Sequence, residues 1–512
     1  MTRFGSSAAL LIVAALAAAL HTGPAHAQPS GATDVQHWAG EFETRQTFRP
    51  RLLIAATFWR EAGGWRGLLN IPPDIGIPGV WAADLLHAEV EPGHIEFYQA
   101  HPNPDAAPNR YIVSRRPEGG DTGEGSVSLG GGPPLRLRMW RIGEDEARDL
   151  MPRRPQTPRG PLPYQSRDIM VPNTRDGETV RVRGVLTIPA GEGPFPIAVL
   201  FPASGRRDAD HTESAHKPFA VIADRLARAG IASMRLEGRQ PRDRFSDVRT
   251  QVSSAQLAAE AAEAVQWLVQ QPATDLSRLA FVGLNEGCTV AAEAAGLLQP
   301  PAKLGAAALL GPQGMSGLAQ IGAEFRSSMR REGESPEFID RRASTFMKAY
   351  ELLARDAPEA EVVEAFYEEI SESHRSRRQQ LGEWQPEQRR EMAVQQYRIV
   401  HTPAFMAMLR AEPAAALASL PCPALAVLAG RDARFPLSVN RPAIEGAFAG
   451  RAAPSRIVVF ESINHRLQPA QTGGPEEMEQ IETTIDERVL TELVEFLREH
   501  LCVSAAKAGE GR

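Results

Sequence analysis

At 512 residues the chain is longer than one ordinary domain of roughly 150 residues, which points to two domains with insertions. Its 43% hydrophobic and 23% charged residues exclude a disordered or fibrous class. The net charge of −7 comes without any basic block, so the electrostatic footprint needed for a phosphate backbone is missing and no nucleic-acid partner is expected.

In chain order, Arg3, the apolar run Ala8–Leu20 and the small residues around Ala25-His26-Ala27 predict a signal peptide over 1–27. Cleavage near Ala27 would make this an exported protein, periplasmic or secreted. The apolar run is shorter than the ~20 residues that cross a bilayer, so no stable membrane anchor is expected. Residues 28–150 carry short runs such as RLLIAATFW, HIEFYQA and LRLRMWR between Gly and Pro, which predicts a small β-rich domain. MPRRPQTPRGPLPY, 151–164, reads as a linker. From 165 to 502 strand-like and helix-like segments alternate, as a mostly parallel sheet with crossover helices requires. The strands are TVRVRGVLTIP, PIAVLFP, IASMRLEG, RLAFVGL, LGAAALLG, PALAVLAG and SRIVVF. The closing helix sets Val489, Leu490, Leu493, Val494, Phe496, Leu497 and Leu501 on one face. A charged helical insertion of about 315–420 separates two of the strands, and an insertion that long predicts a cap over a site. Cys288, Cys422 and Cys502 are too few and too scattered for a disulfide framework.

RLAFVGLNEGCTVAAEAAG has the strand, sharp turn and helix of a nucleophile elbow, G-x-Nuc-x-G, with Gly283 and Gly287 at the crowded positions and Asn285 in the nucleophile slot. Asp432 follows the PALAVLAG strand and His465 follows SRIVVF, giving the order nucleophile, acid, histidine along the chain. That order predicts an α/β-hydrolase fold.

These segments resemble the secreted α/β-hydrolase esterases that carry a β-rich domain ahead of the catalytic one. The resemblance rests on Trp38 and Gly40, the stretch Ser204–Ala232, the elbow, TPAFMAMLRAEPAAAL, AGRDARFPLSVN and INHRLQPAQTG. It implies that Asp432 and His465 are the acid and base of a triad, and that the turn holding Ser204 and Gly205, with Glu286 after the nucleophile, forms the oxyanion and binding region. It implies an ester or acyl ligand. The chain departs from the family at Leu284 and Asn285, where the family has His and Ser, and in RLEGRQPRDRFSD, which replaces an aspartate-rich loop.

A neutral amide cannot replace a hydroxyl that histidine deprotonates, so ordinary serine chemistry is not expected. Three substitutes stay open: the thiol of Cys288, the hydroxyl of Ser204, and water activated by Asp432 and His465 with Asn285 orienting it. Deamidation of Asn285 would supply a carboxylate nucleophile, but Glu286 rather than glycine follows it. His211 and His216 have two readings, as ligand contacts near the mouth or as part of a helix start capped by Thr212 and Ser214. His87, His94 and His101 read as surface histidines. No P-loop, dinucleotide fingerprint or zinc motif is present, so neither cofactor nor metal is expected. Two functions follow, a ligand-binding pseudoenzyme or a hydrolase working through the Asp432–His465 pair.

Overall fold

The computed structural model describes residues 33–501 except 47–48, 62–63, 72–79, 100–106, 116–119, 151–153, 159, 176, 203–207, 215, 239–251, 377–383 and 479. The expected signal peptide therefore lies outside the described residues. Among the described residues, no helix is long and apolar enough to cross a membrane.

Nine antiparallel strands come first: β1 (Thr33–Gln46), β2 (Arg49–Glu61), β3 (Gly64–Ile71), β4 (Val80–Asp84), β5 (His87–Glu91), β6 (His94–Gln99), β7 (Asn109–Arg115), β8 (Thr122–Ser128) and β9 (Leu135–Ile142). They lie in the order β4-β3-β2-β1-β9-β8-β7-β6-β5. The two edge strands of that order are neighbours in the chain, joined only by Leu85 and Leu86. Leu85 N–H donates to Gly67 on one side and Leu86 N–H to Tyr98 on the other. Two residues span less than about 8 Å, so the sheet has to curl until its edges nearly meet. Alternation along the strands then sends one set of side chains inward, as in β6, where Ile95 and Phe97 are buried between more exposed neighbours. Phe58 of β2 meets Phe97 of β6 across the interior, with ring centroids 5.3 Å apart. Trp38, Phe42, Tyr111 and Leu137 fill the rest of the same core.

The second sheet contains β10 (Tyr164–Arg175), β11 (Glu178–Pro189), β12 (Phe195–Phe201), β13 (Ala232–Leu236), β14 (Thr274–Leu284), β15 (Leu304–Leu310), β16 (Ala424–Arg431) and β17 (Ser455–Asn464). Its order is β10-β11-β13-β12-β14-β15-β16-β17. It is mixed: β10 pairs antiparallel with β11 and β11 with β13, and parallel pairing begins at β13 with β12. The expected mostly parallel sheet is met in part: pairing is parallel from β13 through β17 and antiparallel in the lead-in. A tight turn joins β10 to β11, which needs no helix, and the alternating polar and apolar pattern of β10 marks a sheet edge with one wet face. In β12, Ile197, Val199 and Phe201 pack on one layer with Val265 and Ala291, whereas Ala198 and Leu200 face Phe219, Leu490 and Phe496 on the other. Central strands buried on both faces read as unbroken apolar runs, which is why they were legible in the sequence.

Among the described residues, six helices from Gly317 to Ala418 lie between β15 and β16. They enclose a core of their own, in which Phe325, Phe346, Tyr350, Phe366 and Phe405 meet. The buried Arg342 guanidinium pairs with the equally buried Glu369 at 3.0 Å inside this unit. Between the two sheets, the Arg154 side chain donates to the carbonyls of Ser214 and Ile481, and Gln156 bonds the backbone of Thr484 and Ile485, so this part of the connecting segment is docked on the second unit.

Candidate active site

Strand β14 ends at Leu284, and the following helix, Gly287–Ala295, begins after the two intervening residues Asn285 and Glu286. The turn between them is sharp enough to hold Asn285 at φ 51, a left-handed conformation that Asn tolerates better than most side-chain-bearing residues. Asn285 N–H donates to the Leu310 carbonyl at 2.8 Å, and the Asn285 carbonyl accepts from Cys288 N–H at 3.0 Å. The flanking glycines have a packing reason. A Cβ at Gly287 would run into the carbonyls at the end of β12, and one at Gly283 into the backbone of Cys288. Asn285 is 6% exposed, and its Oδ1 has no hydrogen-bond partner among the described residues. That oxygen faces Gly311, where a Cβ would lie 2.6 Å from it.

Asp432 and His465 extend from the ends of β16 and β17, on the same edge of the sheet as the elbow. The His465 Nδ1 lies 2.9 and 3.1 Å from the two Asp432 oxygens. A carboxylate only accepts, so Nδ1 carries the proton and Nε2 of the neutral ring keeps its lone pair. Each partner is held by its own loop. Asp432 Oδ1 accepts from the backbone N–H groups of Arg434 and Phe435 at 2.8 and 2.7 Å. Asn464 Oδ1 accepts from those of Arg466 and Gln468, which bends the chain around His465. Burial works to raise the Asp432 pKa, but the attraction of a protonated His465, its ring N–H and the two backbone donors outweigh it and hold the carboxyl below its ordinary value. The Phe435 ring stands edge-on to His465 with centroids 5.0 Å apart, and Ala323 of the helical insertion packs against Phe435.

The other sequence candidates divide clearly. Glu286 adjoins the elbow and pairs with Arg434 at 2.6 Å, while Arg434 also reaches Glu324 of the insertion at 3.0 Å. One guanidinium thus links the elbow, the acid loop and the helical insertion, a junction no local pattern announced. Cys288 points inward, its Sγ near the Leu310 carbonyl, and complete burial pushes its thiol well above the ordinary range, which removes it as a nucleophile. Ser204 and Gly205 lie outside the described residues, as do His101 and most of the RLEGRQPRDRFSD loop.

His216 is a buried structural group. Its Nδ1 lies 2.9 Å from Thr484 Oγ1 and its Nε2 3.0 Å from Gln468, and burial first, then Arg154 and Arg466, pulls its pKa down to about 2. The capping expectation for Thr212 and Ser214 is corrected as well. The helix starts at Pro218 behind Lys217 without a side-chain cap, and Thr212 instead bonds Asp208. Pro at the helix start has no N–H to satisfy, which lessens the need for a cap. His211 packs against Phe219, His87 against Tyr98, and His94 sits 3.3 Å from Glu96.

Beside the elbow lies a cavity of about 190 Å³. Its wall includes Glu286 and Thr289 from the turn and helix, Pro202 from the end of β12, and Met408 from the insertion. Its far side is built by Asn173 of β10 and Glu237 just after β13. Burial raises the Glu237 pKa above its ordinary value, Arg183 and Arg175 work against that, and Asp208 adds to it. Neither Asn173 nor Glu237 stood out in the sequence, because their placement depends on pairing across β10, β11 and β13.

The strand order, the strained turn after β14, and an acid and histidine following β16 and β17 define an α/β-hydrolase fold. No family model matches the chain. It is similar to esterase EstD of Thermotoga maritima, 32% identical over 135 residues that cover 26% of this chain and 32% of EstD. The chain thus spans about a third of the length of the curated relative it matches. Similar solved structures include a dienelactone hydrolase from Anabaena variabilis, with 15% identity, 66% of this chain and 99% of that chain covered, and a TM-score of 0.35. An esterase from Pyrococcus furiosus has 13% identity, covers 68% and 97%, and gives a TM-score of 0.38. An acylaminoacyl peptidase from Pyrococcus horikoshii has 10% identity, covers 88% and 69%, and gives 0.41.

Proposed function

We propose that this protein is an exported, esterase-derived binding protein that takes an ester or acyl ligand under its helical cap and does not turn it over through an acyl-enzyme. The observation that carries this reading is the amide of Asn285 at the strained elbow turn, beside an acid–histidine pair that is otherwise complete. An acyl-enzyme needs an atom that can be deprotonated and then acylated, and a carboxamide offers none at neutral pH. The buried Cys288 thiol cannot take over. The esterase similarity over 135 residues supports the ester-type ligand, and the apolar run before Ala27 supports export.

A second reading has a specific observation of its own. His465 Nε2 is an acceptor on a ring oriented by Asp432, and Asn285 Oδ1 is a buried acceptor without a partner. A water donating to both would be a general-base nucleophile, a hydrolase mechanism that bypasses the elbow side chain.

The test pairs binding with turnover. A fluorophosphonate probe, which labels activated serine nucleophiles, should leave the wild-type protein unmodified, while a slowly hydrolysed ester should still bind and raise its thermal stability. Ester turnover by the wild type that disappears in His465→Ala would overturn the binding-protein reading in favour of the water mechanism.

A further inference from the structure

We propose that the cavity beside the elbow is built for the amino-bearing part of the ligand, with Glu237 as its counter-charge and Asn173 as a second acceptor. This inference rests on the reading that the site binds an ester or acyl compound, and it specifies which kind.

The cavity's charged groups are not equivalent. Arg175 and Glu260 are paired at 3.0 Å, and Glu286 is paired with Arg434. The Glu237 carboxylate lines the wall with no hydrogen bond or ion pair to any described side chain; only its backbone is engaged, through N–H to the Arg183 carbonyl. Asn173 lies on the same wall and is 2% exposed. Its Nδ2 donates to the Glu260 carbonyl at 2.7 Å, which fixes the orientation of the amide and leaves Oδ1 buried without a partner. A buried acceptor left unmet is costly, so Asn173 Oδ1, with the part-buried Glu237 carboxylate on the same wall, calls for a donor from the occupant. The remaining wall is largely apolar, with Leu257, Val290 and Met408 among its side chains.

The shape of the occupant follows. A dry cavity of ~150 Å³ accommodates benzene, so about 190 Å³ holds a group of roughly eight non-hydrogen atoms. That group is apolar and ends in an ammonium or another N–H donor. Glu286, which follows Asn285 in the chain, is part of the near wall, so we place the ester or acyl function of the same molecule toward the elbow.

Calorimetric titration of the full chain with benzylamine and with benzyl alcohol, its uncharged counterpart of equal size, tests the inference directly. Benzylamine should bind about tenfold or more tightly, as expected for a charge-assisted bond to a carboxylate that otherwise lacks one. Glu237→Gln should abolish that preference, whereas Glu237→Asp should keep part of it. Equal affinities in the wild type, a comparison that needs no variant, would overturn the inference. Phenyl acetate, a neutral ester of similar size, separates it from the underlying reading. If phenyl acetate binds and benzylamine has no advantage, the amine inference falls alone. If benzylamine is preferred and phenyl acetate does not bind, the ester reading falls and the amine site stands. If none of the three binds, both are overturned.

Discussion

Replacing Asn285 by serine restores the one atom the elbow lacks, and the surrounding geometry sets the size of the effect. Removing a triad nucleophile costs about 10⁶-fold in kcat and leaves roughly 10³- to 10⁴-fold over water from the rest of the site. Here the rest is largely assembled: His465 is bonded to Asp432 at 2.9 Å, Asp432 is held by two backbone donors, and the turn already has φ 51. Asn285→Ser should therefore raise kcat/KM on a short nitrophenyl ester by about 10³-fold or more, which corresponds to roughly 4 kcal/mol of transition-state stabilisation. Stability should hardly change. The substitution removes a buried oxygen without a partner, relieving roughly 1–3 kcal/mol, and gives up a residue suited to the left-handed turn, costing about 1 kcal/mol. The assay is steady-state ester hydrolysis by wild type, Asn285→Ser and Asn285→Ser/His465→Ala, each checked by thermal melting. A folded serine variant with no gain, or a gain that survives loss of His465, would refute the argument that the acid–histidine pair is poised for a nucleophile at this position.

Burial of His216 makes a pH prediction with a definite sign. Its folded pKa of about 2 lies below the ordinary 6.5, so the unfolded chain takes up a proton that the fold resists. Stability from this group is complete above about pH 6.5 and is lost as pH falls, by ~3 kcal/mol at pH 4.5. Urea unfolding at pH 7 and 4.5 should show a smaller difference for His216→Gln than for wild type; an equal difference would rule this source out. Cys288 and Cys422 are both buried, and burial lifts the Cys422 thiol to about 12. Iodoacetamide should therefore alkylate their peptides only after denaturation, and labelling of Cys288 in the native protein would reopen the thiol as a nucleophile. In the helical insertion, Arg342→Met leaves the buried Glu369 without its 3.0 Å partner and should cost about 3–5 kcal/mol in urea unfolding, most of it regained in Arg342→Met/Glu369→Leu. A cost below about 1 kcal/mol for the single variant would mean that the pair is solvated in solution.

Much of the second sheet was legible because its central strands are buried on both faces and therefore read as apolar runs, from PIAVLFP to PALAVLAG. The elbow was legible because crowding against β12 and Cys288 admits only glycine at positions 283 and 287. Strands β4, β5 and β8 were harder to see. TGEGSVS alternates small residues with polar ones, and β8 forms because strands on both sides supply its hydrogen bonds. The capping reading of Thr212 and Ser214 failed for a related reason. Thr212 had a nearer partner in Asp208 than any helix N–H, and local turns compete for the same side chains that cap helices.

The sequence by itself determined the alternation of strands and helices from β11 onward, the nucleophile slot with its asparagine, and the acid and histidine that follow it, because each depends on neighbours within a few residues. Only the tertiary structure decided that Asp432 and His465 meet, that His216 is buried among Thr484 and Gln468, and that Arg434 joins the elbow to the helical insertion. It also decided that Asn173 and Glu237 share one cavity wall. These contacts join residues from 33 to 268 positions apart, and their partners are set by strand order and loop packing, which no local pattern of residues encodes.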